Sequence, residues 1–168
     1  MSIFTGSCVA LVTPFNDDGS INFDKFIELL DYHLEHKTDA VLICGTTGEA
    51  STIDDKDQIE CVRLAAKHIN KRMPVIAGAG SNDTAHAVSL AKESEKAGAD
   101  GLLIVTPYYN KTSQKGLIAH YTAIAEAVNI PIILYNVPGR TGMKIAPETC
   151  AELSKIPNIV AVKDATGD

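Results

Sequence analysis

The fold is decided by the stretch Ile159-Val160-Ala161-Val162-Lys163-Asp164-Ala165-Thr166-Gly167-Asp168. Its first four residues are apolar, which predicts a β-strand buried on both faces, as in a parallel sheet covered by helices. Lys163 then emerges at the carboxyl end of that strand. Removing an amine from water favours its neutral, nucleophilic form, which is the form that Schiff-base chemistry requires. The alternative is a lysine whose charged end simply extends into solvent.

Apolar stretches of this kind recur along the chain at a spacing of about thirty residues, the size of a strand–helix–strand unit. Between them, apolar residues recur with helical periodicity. Asn22 and Thr52 are the predicted N-caps of the first two helices, and Pro147 opens the fifth. This alternation predicts parallel strands joined by right-handed crossovers. The predicted strands are Cys8–Val12, Ala40–Cys44, Val75–Ala79, Leu102–Thr106, Ile132–Tyr135 and Ile159–Lys163.

Polar residues and glycines gather at one end of every predicted strand, the end that the chain reaches last. This asymmetry is typical of the reaction face of a TIM (β/α)8-type barrel. A complete barrel takes about 250 residues, whereas this chain has 168. We therefore expect an α/β fold in which residues 1–168 form a single incomplete barrel domain of about six βα units. Strands seven and eight are expected to be absent.

The composition argues against some classes of binding partner and indicates a cell compartment. The formal net charge of −6 argues against nucleic acid and against anionic membrane surfaces. We find no long apolar run and no secretory signal pattern, so the expectation is a cytoplasmic protein without a membrane partner. The cysteines are scattered without a CxxC motif, which predicts small buried thiols. The histidines fall in the predicted helices, away from the strand ends, so no metal site is predicted. The cysteines are Cys8, Cys44, Cys61 and Cys150.

Candidate functional residues follow several of the strands. Gly45-Thr46-Thr47-Gly48 can form a sharp turn whose free N–H groups bind an anion, or a turn whose threonines only satisfy local backbone groups. Tyr135 ends the strand beside the lysine strand, where its hydroxyl can move protons if a neighbour accepts and returns them. Arg140 can hold a carboxylate through two hydrogen bonds or remain a solvated loop cation. The pair Tyr108-Tyr109 suits packing at the barrel rim or a contact between subunits.

Four motifs together resemble the dihydrodipicolinate synthase family, which belongs to the pyruvate-dependent class I aldolase and lyase superfamily. The resemblance is collinear over the whole chain, and it implies a TIM barrel followed by a C-terminal helical region that is absent here. It also implies a cytoplasmic homotetramer. The motifs are Gly45-Thr-Thr-Gly-Glu49, Thr106-Pro-Tyr-Tyr-Asn110, Tyr135-Asn-Val-Pro-Gly-Arg-Thr-Gly142 and Val162-Lys-Asp-Ala-Thr-Gly167.

The catalytic roles below are what this resemblance implies. Lys163 forms a Schiff base with pyruvate, and no metal or organic cofactor takes part. Tyr135, Thr46 and Tyr109 form a proton relay, with Tyr109 reaching in from a neighbouring subunit.

The resemblance also implies the substrate contacts. Gly45 and Thr47, in the same turn as Thr46, bind the pyruvate carboxylate. Arg140 receives the carboxylate of L-aspartate 4-semialdehyde. The implied product is 4-hydroxy-tetrahydrodipicolinate, an intermediate of lysine (diaminopimelate) biosynthesis.

Regulation by lysine is the point on which the sequence departs from the family pattern. Feedback-sensitive members carry two histidines and a glutamate where this chain has Asp55, Gln58 and His86. Only Asn82 and Tyr108 match the effector site. We therefore expect lysine to be a poor inhibitor.

Two other functions remain open at this point. The first is another pyruvate-dependent aldolase, such as an N-acetylneuraminate lyase; Arg140 together with Tyr109 favours the synthase over it. The second is a barrel fragment that keeps the fold without catalysis, because Lys163 would lie on an open sheet edge.

Overall fold

The computed structural model describes residues 4–167, in which strands and helices alternate. The strands are β1 Cys8–Ala10, β2 Ala40–Ile43, β3 Val75–Gly78, β4 Gly101–Val105, β5 Ile132–Asn136 and β6 Ile159–Asp164. The helices are α1 Phe23–Glu35, α2 Asp55–Ile69, α3 Thr84–Ala97, α4 Gln114–Ala125, α5 Pro138–Thr141 and α6 Pro147–Leu153, and a 3-10 helix spans Ala50–Thr52.

The sheet has six parallel strands in the order of the chain, β1-β2-β3-β4-β5-β6. All six strands line one cavity of about 710 Å³, so the sheet is curved around it as in a barrel. The strand count, the parallel pairing and the alternation with helices confirm a TIM-type barrel truncated to six βα units. Within residues 4–167, β1 and β6 are the two edges of the sheet.

The sheet separates two apolar cores. On its convex face, the helices pack against alternate strand residues such as Val41, Leu102 and Leu134, which are almost fully buried. On its concave face, Leu42, Ile76, Leu103, Tyr135 and Val137 form the second cluster, beside the cavity. This division follows from the alternation of side chains along a strand, which sends successive residues to opposite faces.

The structure confirms two of the three predicted helix starts, those at Asn22 and Pro147. The Asn22 side chain accepts a hydrogen bond from the Lys25 N–H, and Pro147 occupies the first turn of α6, as predicted. The prediction for Thr52 was wrong: it lies in the 3-10 helix, and Asp54 is the N-cap of α2. The left-handed backbone of Glu49, at φ 57°, adds a tight turn before the helix and moves its start downstream.

The prediction that β6 is buried on both faces was wrong. Only Ile159 is buried, whereas Val160 and Val162 are 40% and 42% exposed. The reason is that β6 is an edge strand, bonded to β5 on one side only, so it lacks the second neighbour that would complete its cover. The expectation that the cysteines are buried was wrong for Cys8, which is exposed because β1 is the other edge strand of the sheet.

Candidate active site

Tyr135 and Lys163 meet on the concave face of the sheet. They are directly paired residues of the parallel strands β5 and β6, which places both side chains on the same face. The Lys163 Nζ lies 4.3 Å from the centroid of the Tyr135 ring, a cation–π distance. The tyrosine is buried, whereas the lysine is exposed and lines the 710 Å³ cavity. The structure thus places a phenol beside the candidate nucleophile.

Cys8 lines the same cavity from the opposite edge of the sheet. Although the residue as a whole is exposed, the surrounding protein partly removes the thiol from water, which raises its pKa, and the positive charge of Lys163 acts in the opposite direction. A thiol with a raised pKa is uncharged at neutral pH, so Cys8 gives the lysine no counter-ion. Sequence reasoning gave Cys8 no role, although the alternation of side chains along β1 would have placed it on the inner face.

The turn after β2 presents two adjacent donors. Thr46 and Thr47 are exposed, and within residues 4–167 neither backbone N–H is bonded to a backbone carbonyl. The left-handed backbone of Cys44, at φ 53°, turns the chain sharply at the end of the strand. Consecutive free N–H groups in such a turn suit a carboxylate.

Close contacts with Thr13 and Gly78 fix the backbone of this turn. The Thr13 hydroxyl donates a buried hydrogen bond of 2.7 Å to the Gly48 carbonyl. Gly78 packs so tightly against the preceding strand end that an added Cβ would lie 2.1 Å from the Cys44 carbonyl oxygen. A hydrogen bond with Cys61, together with burial, raises the pKa of the Cys44 thiol, which keeps it neutral. The predicted turn at Gly45 is therefore a rigid element, and Thr13 is an anchor that the sequence analysis missed.

The predicted relay is only partly assembled within one chain. Tyr109 is 91% exposed and holds a left-handed backbone conformation at φ 63°. Among the described residues, no hydrogen bond joins the hydroxyls of Thr46, Tyr109 and Tyr135. Of the three, Tyr135 is the residue whose ring lies beside the Lys163 Nζ in the described part of the chain.

Arg140 lies on α5, a four-residue helix that the sequence analysis interpreted as a loop because it is rich in glycine and proline. Its side chain is exposed, and in the described part of the chain the guanidinium has no hydrogen bond or ion pair. The Thr141 hydroxyl fixes this segment by contacts with the backbone of Val137 and Met143. The arginine is thus a free cation presented on a well-anchored turn.

Asn136 and Asp164 directly follow Tyr135 and Lys163 in the two paired strands, yet sequence reasoning gave them no role. They are partners in the strand register. Hydrogen bonds from Thr166, the largest of them from its backbone N–H, lower the pKa of the Asp164 carboxyl, and the positive charge of Lys144 acts in the same direction. The signal in the sequence was that each of these two residues directly follows a candidate catalytic residue.

The residues at the predicted effector positions have partners of their own. His86 Nε2 lies 2.8 Å from the Asp55 carboxylate. The Gln58 side-chain amide donates to two backbone carbonyls of the preceding turn at 2.8 and 2.9 Å. The Asn82 backbone carbonyl accepts a hydrogen bond of 3.1 Å from the Asn110 side-chain amide in the loop after β4. Tyr108 is 37% exposed.

Two further observations concern residues 4–167 as a whole. Their histidine, cysteine and acidic side chains form no cluster of three that could hold a metal ion. None of their helices is both long and apolar enough to cross a membrane.

The chain resembles known proteins in both sequence and structure. Residues 3–168 match the model of the dihydrodipicolinate synthetase family. The 4-hydroxy-tetrahydrodipicolinate synthase of Caldicellulosiruptor saccharolyticus is 59% identical over 168 residues, which are 100% of this chain and 57% of that protein. The enzyme of the same name from Geobacter metallireducens is 56% identical over 98% of this chain and 57% of its own length.

Solved structures agree with the sequence relatives. The pyruvate complex of the chloride-inhibited dihydrodipicolinate synthase from Acinetobacter baumannii superposes with a TM-score of 0.97 at 48% identity. This match covers 99% of the present chain and 57% of that one. The lysine-bound enzyme of Cyanidioschyzon merolae gives a TM-score of 0.96 at 41% identity, covering 100% and 58% of the two chains. The present chain thus spans somewhat more than half of each relative, and it belongs to the dihydrodipicolinate synthetase family.

Proposed function

We propose that this chain carries the Schiff-base centre of a lyase that condenses pyruvate with L-aspartate 4-semialdehyde. The product would be 4-hydroxy-tetrahydrodipicolinate, for lysine biosynthesis. The observation that supports this most strongly is the pairing of Lys163 with Tyr135 at the carboxyl end of two parallel strands. Relatives that carry the name of this activity match the entire chain.

In the proposed reaction, the Lys163 amine attacks the keto carbon of pyruvate and forms a carbinolamine. The carbinolamine then loses water to give an imine. The Tyr135 hydroxyl supplies a proton to the departing oxygen and is reprotonated through Thr46 and Tyr109. Loss of a methyl proton gives an enamine, whose carbon attacks the aldehyde of the second substrate. Cyclisation through the second substrate's amino group displaces the lysine and frees it for another turnover.

The two substrate carboxylates need separate cations or donors. We assign the pyruvate carboxylate to the turn of Gly45, Thr46 and Thr47, whose free N–H groups suit it. We assign the carboxylate of the semialdehyde to Arg140, whose guanidinium has no other partner in residues 4–167. The exposed Tyr109 would enter the site of a second copy in a cytoplasmic homotetramer.

Trapping of the imine tests the proposal. The chain is incubated with pyruvate and cyanoborohydride, digested, and analysed by mass spectrometry. We expect the reduced pyruvate adduct on Lys163 and its loss in Lys163→Ala. Lys155→Ala, a control that removes a solvent-exposed lysine just after α6, should keep the adduct. An adduct confined to other lysines would contradict the proposal. Aspartate semialdehyde and N-acetylmannosamine, offered together with pyruvate in the absence of the reductant, then distinguish the synthase from a sialic-acid lyase by the product formed.

Replacing Arg140 by alanine should separate the two substrate sites. Adduct formation with pyruvate should stay within about threefold of wild type, because within residues 4–167 the exposed guanidinium makes no hydrogen bond to the threonine turn and no ion pair. Consumption of the unreduced pyruvate imine by aspartate semialdehyde should fall by about 10- to 100-fold, as expected for a lost charge-assisted contact. Loss of adduct formation itself would instead place Arg140 in the pyruvate site.

L-Lysine should bind weakly, with a dissociation constant above about 1 mM. Asp55 and His86 are paired with each other, and Gln58 is committed to backbone carbonyls, so none is free to receive an amino acid. Calorimetric titration of the chain with lysine measures this. Binding in the micromolar range would show that a differently built effector site exists.

A second candidate is a barrel fragment with the fold but little turnover, and the observation that favours it is the exposed edge strand carrying Lys163. Water then has access to the amine, and β1 and β6 each offer unpaired backbone groups to another chain. We expect the 168-residue chain to self-associate in sedimentation and to turn over slowly. A monomer with turnover close to that of a complete barrel would contradict this expectation.

A further inference from the structure

Thr13 fixes the threonine turn, residues 45–48, from the neighbouring strand. It follows β1, is 6% exposed, and its hydroxyl donates the 2.7 Å hydrogen bond to the Gly48 carbonyl. Gly48 is also buried, so this carbonyl depends on a protein donor and not on water. An added Cβ at Gly48 would lie 3.0 Å from the Leu11 carbonyl oxygen, so the turn packs closely against the chain that leaves β1.

Two planar peptide groups connect this hydroxyl to a free N–H group of the turn. The peptide group that contains the Gly48 carbonyl also contains the Glu49 N–H, which donates to the Thr46 carbonyl at 3.1 Å. The peptide group of the Thr46 carbonyl contains the Thr47 N–H, which donates to no backbone carbonyl within residues 4–167. Because a trans peptide group is planar, its C=O and N–H point in opposite directions. The orientation of the Thr47 N–H therefore depends on the Thr13 hydroxyl.

The backbone conformation of Glu49 makes this support necessary. Its φ of 57° is left-handed, which is unfavourable for a residue with a Cβ. A flip of the peptide group between Gly48 and Glu49 would relieve this conformation, but it would turn the Gly48 carbonyl away from Thr13. The hydrogen bond from Thr13 thus opposes the flip and preserves the bond to the Thr46 carbonyl.

A 2-oxo acid makes two separate demands on the site. The Lys163 amine needs only a carbonyl carbon, whereas the carboxylate needs aligned N–H donors. We propose that Thr13 is a positioning residue for carboxylate recognition, which makes the site prefer a 2-oxo acid to a neutral ketone. This proposal rests on the proposed function, because it assigns the threonine turn to the pyruvate carboxylate. Thr13 does not touch the substrate; it acts through the two peptide groups.

The concentration dependence of imine trapping on Lys163 tests this role. Thr13→Val removes the hydroxyl and keeps a branched side chain of similar size. We expect the pyruvate concentration for half-maximal rate to rise about tenfold, as for one lost hydrogen bond, and the rate at saturating pyruvate to stay within about threefold of wild type. Thr13→Ser keeps the hydroxyl and should restore the wild-type dependence. A lower saturating rate with an unchanged half-maximal concentration would contradict the proposal.

Acetone distinguishes carboxylate recognition from a general disturbance of the site, because it offers the same keto carbon without a carboxylate. Thr13→Val should trap acetone on Lys163 at a rate within about threefold of wild type, since independent sites contribute additively. Equal losses with acetone and pyruvate would show that Thr13 is merely structural and would overturn the proposal.

Thr149→Val is the matched control for the removal of a buried hydroxyl. Thr149 is 4% exposed, lies on α6 and donates to the Gln114 side chain at 2.6 Å, outside the residues that line the 710 Å³ cavity. Its replacement should leave the half-maximal pyruvate concentration within about threefold of wild type. A tenfold rise in this variant as well would remove the special role of Thr13.

Amide hydrogen exchange gives a readout that needs no pyruvate. The Glu49 amide should exchange faster in Thr13→Val and keep its protection in Thr13→Ser and Thr149→Val. Unchanged protection in Thr13→Val would overturn the proposal. If the wild-type chain forms no adduct on Lys163 while exchange follows the expected pattern, the proposed function fails and the role in carboxylate recognition fails with it, but Thr13 remains the anchor of the turn.

Discussion

Replacing Tyr135 by phenylalanine should slow pyruvate adduct formation on Lys163 by about 10²–10⁴-fold, the usual contribution of a positioned acid–base group. The substitution keeps the ring that lies 4.3 Å from Nζ and removes only the hydroxyl. The loss would therefore report on proton transfer and not on packing. Quenched-flow or timed cyanoborohydride trapping, followed by mass spectrometry, measures the rate.

Tyr121→Phe is the matched control for this substitution. The Tyr121 hydroxyl is fully buried and donates to the Ile104 carbonyl at 3.1 Å, away from the lysine. Its removal should lower the free energy of unfolding by about 1–3 kcal/mol, because a buried acceptor loses its donor, and leave the adduct rate unchanged. A Tyr135→Phe variant that reacts as fast as Tyr121→Phe would show that the relay runs through another group.

Gly78→Ala should lower the free energy of unfolding by about 3 kcal/mol or more, at the upper end of the usual cost of overpacking. The added Cβ would lie 2.1 Å from the Cys44 carbonyl oxygen, and the atom it meets belongs to the backbone, which cannot rotate away. The end of β2 would have to move, and with it the threonine turn. Urea unfolding followed by circular dichroism measures the change.

Gly139→Ala controls for the effect of replacing a glycine in itself. A Cβ at this position meets no atom within 4 Å, so the change in unfolding free energy should stay within about 1 kcal/mol. If Gly78→Ala is as stable as Gly139→Ala, the contact between β3 and the carbonyl before the turn is looser than the structure indicates.

The sequence predicted the order and direction of all six strands because each apolar stretch is short, β-branched or aliphatic, and bounded by turn residues. It also predicted that Tyr135 and Lys163 would be neighbours, because consecutive strands of a βαβ unit tend to lie side by side. Both predictions rest on local patterns that the packed structure leaves intact.

Other features depend on contacts that no local pattern encodes. Val160 and Val162 are exposed because β6 has no second neighbouring strand within residues 4–167. An apolar run has the same sequence pattern whether its strand is central or at an edge. The start of α2 at Asp55 depends on the left-handed turn at Glu49, which propensity does not predict for a glutamate. The partnership of Asn136 with Asp164 in the strand register appears only once the pairing of β5 with β6 is known.

The chain-order arrangement of the strands has a consequence for how the polypeptide acquires its structure. Within residues 4–167, each strand pairs only with the strand made immediately before it or after it. The barrel segment can therefore be assembled one βα unit at a time as it leaves the ribosome, with short loops to close at each step. Lys163 lies on the sixth of these strands, so its amine joins a sheet in which Tyr135 and the threonine turn are already in place.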